Sequence, residues 1–332
     1  MATSAPESIA EASDLGFAYR PGEFAVRHLT FALRRGEIFG LLGRNGAGKT
    51  TTVRLLSTLL PPTEGGGSLF GRELRRCGRA ERARLGVVLQ SESLDFVSVE
   101  QNLRLYAFLW GVPRELAKAR AEEMLDLFEL DALRLRKPWA LSGGERRRFQ
   151  VARELMHEME LLFLDEPTVG LDALTRGRIL DYLARRARDG LAIVFTTHIL
   201  HEADRLCQRV GVLQDGRVAT IASPAELKRR HGGARTVEAE FDRPLSPGER
   251  SEVDRRLREK GDTFAPLEQV DVRLVFRARN PEDLVAELAR WAERAGVGIE
   301  RIAVREATLE DAFVSLVGEG PGPEDQPTGT LT

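Results

Sequence analysis

The sequence predicts an α/β protein: a mostly parallel sheet covered by helices on both faces, a helical insertion, and a separate small α+β domain. Three observations lead to this fold class. Strand-length apolar runs alternate with helical stretches up to about residue 230, as in parallel sheets. The strand-like runs disappear between about 91 and 150. A new alternation begins near residue 231, and 332 residues suffice for about two domains.

The elements of the first domain follow in order. Residues 15–42 alternate short apolar runs with turns, which predicts strands and hairpins ending in a buried strand. A glycine-rich loop and a helix over about 49–60 follow, and Pro61-Pro62 ends the helix. Further strands are expected at 85–89, 161–164, 191–196 and 210–213, and helices of the insertion at 100–110, at 114–130 and from about 142.

The second domain, 233–317, alternates strands and helices in a pattern that favours a split βαβ arrangement. Strands are expected at 236–241, 270–276 and 299–304, and helices at 247–260, 281–295 and 309–317. The first domain is placed at 14–230, with its helical part at 91–150. Residues 1–13 and 318–332 are expected to be disordered tails.

Composition excludes several classes of protein. The formal net charge of −2, and the 14 basic against 18 acidic residues in 233–317, argue against a nucleic-acid partner. The two cysteines are 130 positions apart and form no disulfide framework. The apolar runs are far shorter than the roughly 20 residues of a membrane-spanning helix, and the start resembles no secretory signal. A cytoplasmic location is expected.

The segment Gly43-Arg-Asn-Gly-Ala-Gly-Lys-Thr50 fits the pattern G-x-x-x-x-G-K-[ST], between a predicted strand and a predicted helix. Glycines such as Gly43, Gly46 and Gly48 let backbone N–H groups surround phosphate oxygens at a helix N-terminus. The motif predicts Lys49 on the β- and γ-phosphates and the Thr50 hydroxyl on Mg²⁺. The neighbouring residues Asn45 and Thr51 are also expected at the nucleotide.

A second motif ends the strand at 161–164 with Asp165 and Glu166. A buried strand that delivers an aspartate at its carboxyl end can support Mg²⁺. The adjacent Glu166 is a candidate general base for an attacking water, worth about 10²–10⁴ in rate.

A third motif, Leu141-Ser-Gly-Gly-Glu145, is called the signature below. It precedes a predicted helix and forms a second anion-binding site from Ser142, Gly143 and Gly144. The glycine-rich segment Gly43–Thr50 is called the phosphate loop below. The phosphate loop, the signature and Leu164-Asp-Glu-Pro-Thr-Val-Gly-Leu-Asp172 follow one another along the chain, and in this combination the sequence resembles the ATP-binding-cassette (ABC) ATPases over about 14–225. The resemblance implies a P-loop NTPase (RecA-like) core with ATP and Mg²⁺ as ligands.

The resemblance also assigns roles to single residues. Tyr19, with Phe17 as its competitor, matches the aromatic that stacks on adenine. Gln90 matches the glutamine that senses Mg²⁺ and the γ-phosphate. Asp172 matches the loop that crosses to the opposite subunit, and His198 matches the switch histidine at the γ-phosphate.

One position departs from the family pattern. The signature usually ends in glutamine, whereas this one ends in Glu145. A carboxylate gains from the helix dipole but adds negative charge near a triphosphate, which predicts a lowered or partner-dependent ATPase rate.

In the family fold, the signature and the phosphate loop of one subunit hold different nucleotides. The resemblance therefore implies a head-to-tail homodimer with ATP between Gly43–Thr50 of one subunit and Ser142–Gly144 of the other. A separate transmembrane permease would be the driven partner, placing the chain at the inner face of the membrane. Segments 57–65, 94–102 and 306–313 resemble the daunorubicin-resistance branch, which favours an exporter. The alternative is a soluble ABC ATPase that remodels nucleic acid or ribosomes, and the single cassette and acidic C-terminal region argue against it.

Overall fold

The computed structural model describes residues 8–89, 96–232, 235–259, 268–270, 272–278 and 281–318. It forms two compact units that divide between Pro224 and Ala225. The boundaries 14–230 and 233–317 stay a prediction. Within the described ranges, no helix is both long enough and apolar enough to cross a membrane.

The first unit contains two sheets. Its strands are β1 (Ser8–Arg20), β2 (Glu23–Arg34), β3 (Ile38–Gly43), β4 (Glu64–Leu69), β5 (Arg72–Glu73), β6 (Leu85–Val88), β7 (Leu161–Asp165), β8 (Ala192–Thr196), β9 (Arg209–Gln214) and β10 (Arg217–Ala222). Its helices are α1 (Lys49–Leu56), α2 (Arg79–Arg82), α3 (Val99–Leu109), α4 (Arg114–Leu127), α5 (Gly143–Glu154), α6 (Ala173–Arg188) and α7 (Leu200–Leu206).

The larger sheet has the strand order β10-β9-β3-β8-β7-β6, and only its edge strand β10 pairs antiparallel. Every residue of β3, β7 and β8 is buried, as expected for parallel strands with helices on both faces. The mostly parallel sheet is confirmed. Because the strands are parallel, β3, β7 and β8 deliver their following residues to one edge of the sheet.

The smaller sheet is antiparallel, in the order β2-β1-β4-β5. It corrects the expectation that residues 1–13 form a disordered tail, because β1 begins at Ser8. Ile9, Ala10 and Ala12 are buried there, and β1 is hydrogen-bonded to β2 on one edge and β4 on the other. The partners of Ala12 and Ser13 on β4 are Gly67 and Gly66, so β4 places no side chain opposite them. Residues 1–7 lie outside the described part.

The helical insertion comprises α3, α4 and α5, and no strand occurs in the described residues 96–160. Ser98 caps α3 and Ser142 caps α5, each in a reciprocal capping box with the residue three positions later. The insertion predicted at 91–150 therefore starts and ends close to the observed helices.

The second unit contains α8 (Pro224–His231), β11 (Arg235–Phe241), α9 (Pro247–Glu259), β12 (Glu268–Val270), β13 (Arg273–Ala278), α10 (Pro281–Ala295), β14 (Ile299–Arg305) and α11 (Leu309–Gly318). The antiparallel sheet order β12-β13-β11-β14 and the β-α-β-β-α-β succession confirm the split βαβ arrangement. The single strand expected at 270–276 is wrong, because Val270 pairs with Arg273 and the run folds back on itself. Residues 319–332 of the expected C-terminal tail lie outside the described part.

Candidate nucleotide site

The glycine-rich loop 43–48 joins β3 to α1, and two of its glycines are required for steric reasons. Gly48 precedes the first helical residue with φ = 102°, a left-handed conformation that side chains rarely adopt. A Cβ there would lie 2.8 Å from the carbonyl oxygen of Ala25, and one on Gly43 would lie 2.7 Å from that of Leu213. The loop can therefore approach its neighbours closely only without side chains at these positions.

A cavity of about 560 Å³ opens beside this loop, within the range typical of cofactor sites. Its walls come from the loop, from the first turn of α1, from the smaller sheet and from the end of β7. The lining residues are Tyr19, Ala25, Asn45, Gly46, Gly48, Lys49, Thr50, Thr51 and Glu166. The cavity thus brings Glu166 together with seven residues that were predicted to bind the nucleotide. One of them is Tyr19 of β1, and the other six lie in the loop and the first turn of α1.

Lys49 is the central positive charge of the cavity. Its Nζ donates to the carbonyl oxygens of Gly43 at 2.7 Å and Arg44 at 3.2 Å, and lies 3.9 Å from Glu166 Oε1. Burial lowers the pKa of Lys49, while the carboxylates of Glu166 and Asp165 act in the opposite direction. A buried ammonium with a carboxylate nearby is poised to exchange these partners for phosphate oxygens.

Asp165, at the end of β7, is fully buried and held on both sides by threonine hydroxyls. Thr50 Oγ1 donates to Oδ2 and Thr196 Oγ1 to Oδ1, both at 2.7 Å. The Thr50 hydroxyl and the Asp165 carboxylate form an oxygen donor set of the kind that hard divalent cations prefer. Thr50 and Asp165, two of the three residues predicted to support Mg²⁺, are therefore adjacent and chemically suited to it.

Glu166 sits in a strained backbone conformation directly after β7. Its φ of 53° is left-handed, which costs a residue other than glycine about 1–3 kcal/mol and persists only when the surroundings enforce it. Its N–H donates to Thr196, to the carbonyl oxygen at 3.1 Å and to Oγ1 at 3.0 Å. Its carboxylate lies 3.4 Å from His198 Nδ1. The turn aims a carboxylate into the cavity beside Lys49 and His198.

The structure separates the two aromatic candidates near the end of β1. Tyr19 lines the cavity and is 57% exposed, whereas Phe17 is buried in the core. The two rings pack edge to face, with 4.9 Å between their centroids. The Tyr19 hydroxyl lies 3.4 Å from Thr51 Oγ1. Of the two, Tyr19 is the ring available to a planar base.

The signature residues Ser142, Gly143 and Gly144 lie elsewhere in the same unit, and none of them lines this cavity. The Ser142 hydroxyl accepts from the Glu145 N–H at 3.3 Å, and the Glu145 carboxylate accepts from the Ser142 N–H at 2.7 Å. This backbone hydrogen bond, the largest of several causes, lowers the pKa of Glu145. Glu145 is thus built into the cap of α5 rather than left free.

Asp172 also caps a helix and does not line the cavity. Its Oδ1 accepts from the N–H groups of Leu174 and Thr175, both at 3.0 Å, and these contacts at the start of α6 lower its pKa. Gly170, in the same loop, lies against Gly144, where a Cβ would be 2.8 Å from the Gly170 carbonyl oxygen. The loop before α6 therefore packs on the signature. Gln90 lies outside the described residues.

Sequence reasoning missed three residues that organise the site. Thr196, at the end of β8, holds Asp165 and the Glu166 N–H, and the parallel-strand rule could have placed it there. Glu202 is fully buried and accepts from Thr168 and Thr197 hydroxyls at 2.9 and 3.0 Å. Arg147, in α5, donates to backbone carbonyls at the ends of β6 and β7. No motif signals the last two.

The match to the ABC transporter family model spans residues 26–169. Nod factor export ATP-binding protein I of Ralstonia nicotianae is 36% identical over 306 residues, covering 91% of this chain and 92% of that protein. The daunorubicin resistance ATP-binding protein DrrA3 of Streptomyces coeruleorubidus is also 36% identical, covering 89% and 92%. A linearmycin resistance ATP-binding protein of Bacillus subtilis is 31% identical, covering 88% and 93%.

The chain belongs to the ATP-binding subunits of ABC transporters, and it is an ATPase. Two solved structures support the fold. An ATP-binding subunit of an ABC transporter superposes with a TM-score of 0.63 at 28% identity, covering 68% of this chain and 94% of that one. A dimeric ATP-binding cassette in a post-hydrolysis state with ADP and Pi gives 0.59 at 26% identity, covering 64% and 98%. These findings confirm the family and fold expected from the three motifs.

Proposed function

We propose that this ABC ATPase works as a homodimer that binds two ATP molecules with Mg²⁺ at its interface and drives a separate exporter permease. The observation that carries the proposal is the separation of two phosphate-binding elements in one subunit. The cavity is lined by Asn45 and Gly46 of the loop, by Gly48–Thr51 at the start of α1 and by Glu166, while Ser142–Gly144 line none of it. A second subunit placed head to tail would bring its own signature to the open side of each cavity.

In this arrangement Lys49 leaves the carbonyls of Gly43 and Arg44 and binds the β- and γ-phosphate oxygens. Backbone N–H groups of the loop and the first turn of α1 surround the same oxygens. Tyr19 stacks on adenine at the open end of the cavity. Thr50 and Asp165, with Gln90 as a further ligand, would hold Mg²⁺, and the ion would neutralise charge that develops on the phosphates.

Hydrolysis follows from the position of Glu166. Its carboxylate accepts a proton from a water molecule as the water oxygen bonds to the γ-phosphorus, and the bond from that phosphorus to the β–γ bridging oxygen breaks. The products are ADP and inorganic phosphate. His198, 3.4 Å from Glu166 through Nδ1, contacts the γ-phosphate and orients the base. Such a positioned base contributes about 10²–10⁴ in rate.

Loss of the γ-phosphate removes the bond to the partner's signature, and the dimer opens. This cycle would convert ATP hydrolysis into a closing and opening motion that a permease can use. The relatives named for Nod factor export and for daunorubicin and linearmycin resistance favour an exporter, including a drug-resistance role, at the inner face of the membrane. We further propose that the second unit stabilises or regulates the dimer.

The decisive variant is Glu166→Gln, which keeps the shape of the side chain and removes the base. Phosphate release should fall about 10²–10⁴-fold, while size measurement with Mg-ATP should show a longer-lived dimer. A matched control is Glu160→Gln, because Glu160 directly precedes β7 at the opposite end of that strand and pairs with Arg84. It should hydrolyse ATP normally.

Two outcomes would contradict separate parts of the proposal. Normal hydrolysis by Glu166→Gln would refute the base. A slow variant that stays monomeric with Mg-ATP, even when its permease is present, would support Glu166 as the base and contradict the homodimer with ATP at its interface. Recovery of the tagged chain from membranes without any integral membrane protein would reject the permease.

A further inference from the structure

Arg147 lies one turn beyond the signature in α5, and its guanidinium bridges to the carboxyl ends of two parallel strands. Nη1 donates to the carbonyl oxygen of Leu89 at 2.7 Å and to Gln150 Oε1 at 3.0 Å. Nη2 donates to the carbonyl oxygen of Asp165, and Nε donates to that of Glu166 at 3.3 Å. One side chain therefore joins the helix that begins at the signature to the peptides that carry Asp165 and Glu166.

The Arg147 guanidinium binds carbonyl oxygens next to a strained backbone conformation. Glu166 has a left-handed φ of 53°, and such a residue needs neighbours that enforce it. Thr196 holds the N–H of Glu166 from the side of β8. Arg147 holds the carbonyl oxygens of Asp165 and Glu166 from the side of α5. The two contacts together fix both peptide groups next to the base.

The planar guanidinium suits this task better than another cation would. Its donors point in fixed directions within one plane, so it can bond several carbonyl oxygens at once, whereas a lysine ammonium is a point charge on a flexible stem. The carbonyls of Leu89 and Glu166 lie just beyond β6 and β7, and backbone oxygens at such positions need donors from outside the sheet.

We propose that Arg147 is a positioning residue for ATP hydrolysis: it holds the Glu166 peptide in its left-handed conformation and ties it to the signature helix. The inference rests on the proposed role of Glu166 as the base. When a partner's nucleotide contacts Ser142–Gly144 at the start of α5, the position of that helix is passed through Arg147 to the base of the same subunit. Each nucleotide thereby affects hydrolysis of the other.

The test compares two arginines on one helix. Arg147→Met removes the donors and keeps the apolar stem. Arg148→Met is the matched control, because Arg148 Nη1 also donates to backbone carbonyls, those of Phe128 at 3.1 Å and Glu129 at 3.3 Å, within the helical insertion. In the full chain, kcat of Arg147→Met should fall about 10–100-fold, the loss expected from a misplaced catalytic group, with the KM for ATP changed less than about threefold. Arg148→Met should keep the wild-type kcat.

A structural role alone would not produce the expected behaviour in the Glu166→Gln background. If Arg147 acts through Glu166, adding Arg147→Met to Glu166→Gln should leave the residual turnover unchanged. Arg147→Lys keeps the positive charge but lacks the planar set of donors, so its kcat should show most of the fall expected for Arg147→Met. It serves as the test variant if Arg147→Met does not fold. The Hill coefficient for ATP should fall towards one in both Arg147 variants.

Three results would overturn the inference. They are wild-type kcat in Arg147→Met or Arg147→Lys, an equal loss in Arg148→Met, or a further loss on top of Glu166→Gln. If Glu166→Gln itself hydrolyses ATP normally, the proposed base fails first. If Glu166→Gln is slow and the Arg147 variants are normal, only the positioning role fails.

Discussion

Two helices of the first unit begin at the glycine-containing motifs proposed to bind phosphate, and their N-termini are built differently. At α1 the residue before the helix is Gly48, and no side chain caps the first turn in the described structure. At α5 that residue is Ser142, and it shares a reciprocal capping box with Glu145. The first four N–H groups of a helix have no partner inside it. At α1 no side-chain cap satisfies them and the residues that carry them, Gly48–Thr51, line the cavity, whereas at α5 the helix has satisfied part of them itself.

This difference fits two kinds of contact. The α1 site is preformed and partly buried, so its open N–H groups favour tight binding of phosphate. The α5 site is exposed and, under the proposed cycle, meets and leaves a nucleotide in every turnover. A helix that caps itself while the partner is away stays folded, since a side-chain cap is worth about 0.5–2 kcal/mol. The comparison predicts that variants at α1 weaken ATP binding, while variants at α5 spare ATP binding and slow turnover.

The largest effect is expected at α1, from Lys49→Ala. Removing the buried ammonium takes away the main side-chain charge on the phosphates, so turnover should fall at least about 10²–10³-fold and ATP affinity should drop. Nucleotide titration and phosphate release measure the two effects. Lys118→Ala, on an exposed position of α4, is the control and should match wild type. Wild-type affinity in Lys49→Ala would remove the nucleotide from this cavity.

The sequence predicted those parts of the fold and site whose signal lies in contiguous residues. Strands β3, β7 and β8 were predictable because buried parallel strands are continuous apolar runs. The first six residues of β1 were not, because Ala10 and Ala12 carry little apolar signal and are buried through pairing with β2 and with the glycine-rich β4. The end of α1 at Leu56, before the proline pair, was also overestimated.

The same rule applies to the site. Residues 43–51, 142–145 and 165–166 could be identified because each group is one uninterrupted motif. Arg147 could not, because its contacts at the strand ends are with main-chain carbonyls up to 58 positions away, and a carbonyl is the same in every residue. The choice between Phe17 and Tyr19 needed the structure too. The two residues are two positions apart on β1, so the strand pattern places both on the same face, and only their exposure and the cavity lining distinguish them.

An intermediate effect is expected at α5, from Ser142→Ala. Loss of the cap should lower the free energy of unfolding by about 0.5–2 kcal/mol. Loss of a hydroxyl bond to a partner's charged phosphate, worth about 1.5–3 kcal/mol, should slow turnover about 10–100-fold. ATP affinity of the monomer should not change.

Ser98→Ala is the matched control for Ser142→Ala. Ser98 caps α3 in the same kind of box with Gln101, so it should lose similar stability and keep full turnover. Thermal unfolding and phosphate release, measured on both variants, separate the cap from the phosphate contact. Equal turnover in the two variants would show that Ser142 does no more than cap its helix.

The smallest effect is expected from Glu145→Gln. Glutamine can replace glutamate in the capping box, so α5 should keep its cap while losing one negative charge beside the proposed position of the partner's triphosphate. ATP-dependent dimerisation should tighten, and turnover should rise less than about tenfold. Because the effect is electrostatic, it should shrink when salt is raised from about 0.01 M to 1 M, as the Debye length falls from about 30 Å to 3 Å.

The pH dependence of Glu145→Gln sharpens that result. The Ser142 N–H lowers the pKa of Glu145 in the folded state below its unfolded value of about 4.3. The stability that the carboxylate contributes is therefore fully present above the unfolded pKa, and it is lost as pH falls through the folded pKa. Between pH 6 and 9, roughly the neutral range well above both values, Glu145 stays ionised, so the difference in dimerisation between wild type and Glu145→Gln should be constant. A difference that high salt does not reduce would mean that Glu145 affects the nucleotide through shape rather than charge. A difference that varies with pH in that window would contradict a constant charge on Glu145 as its cause.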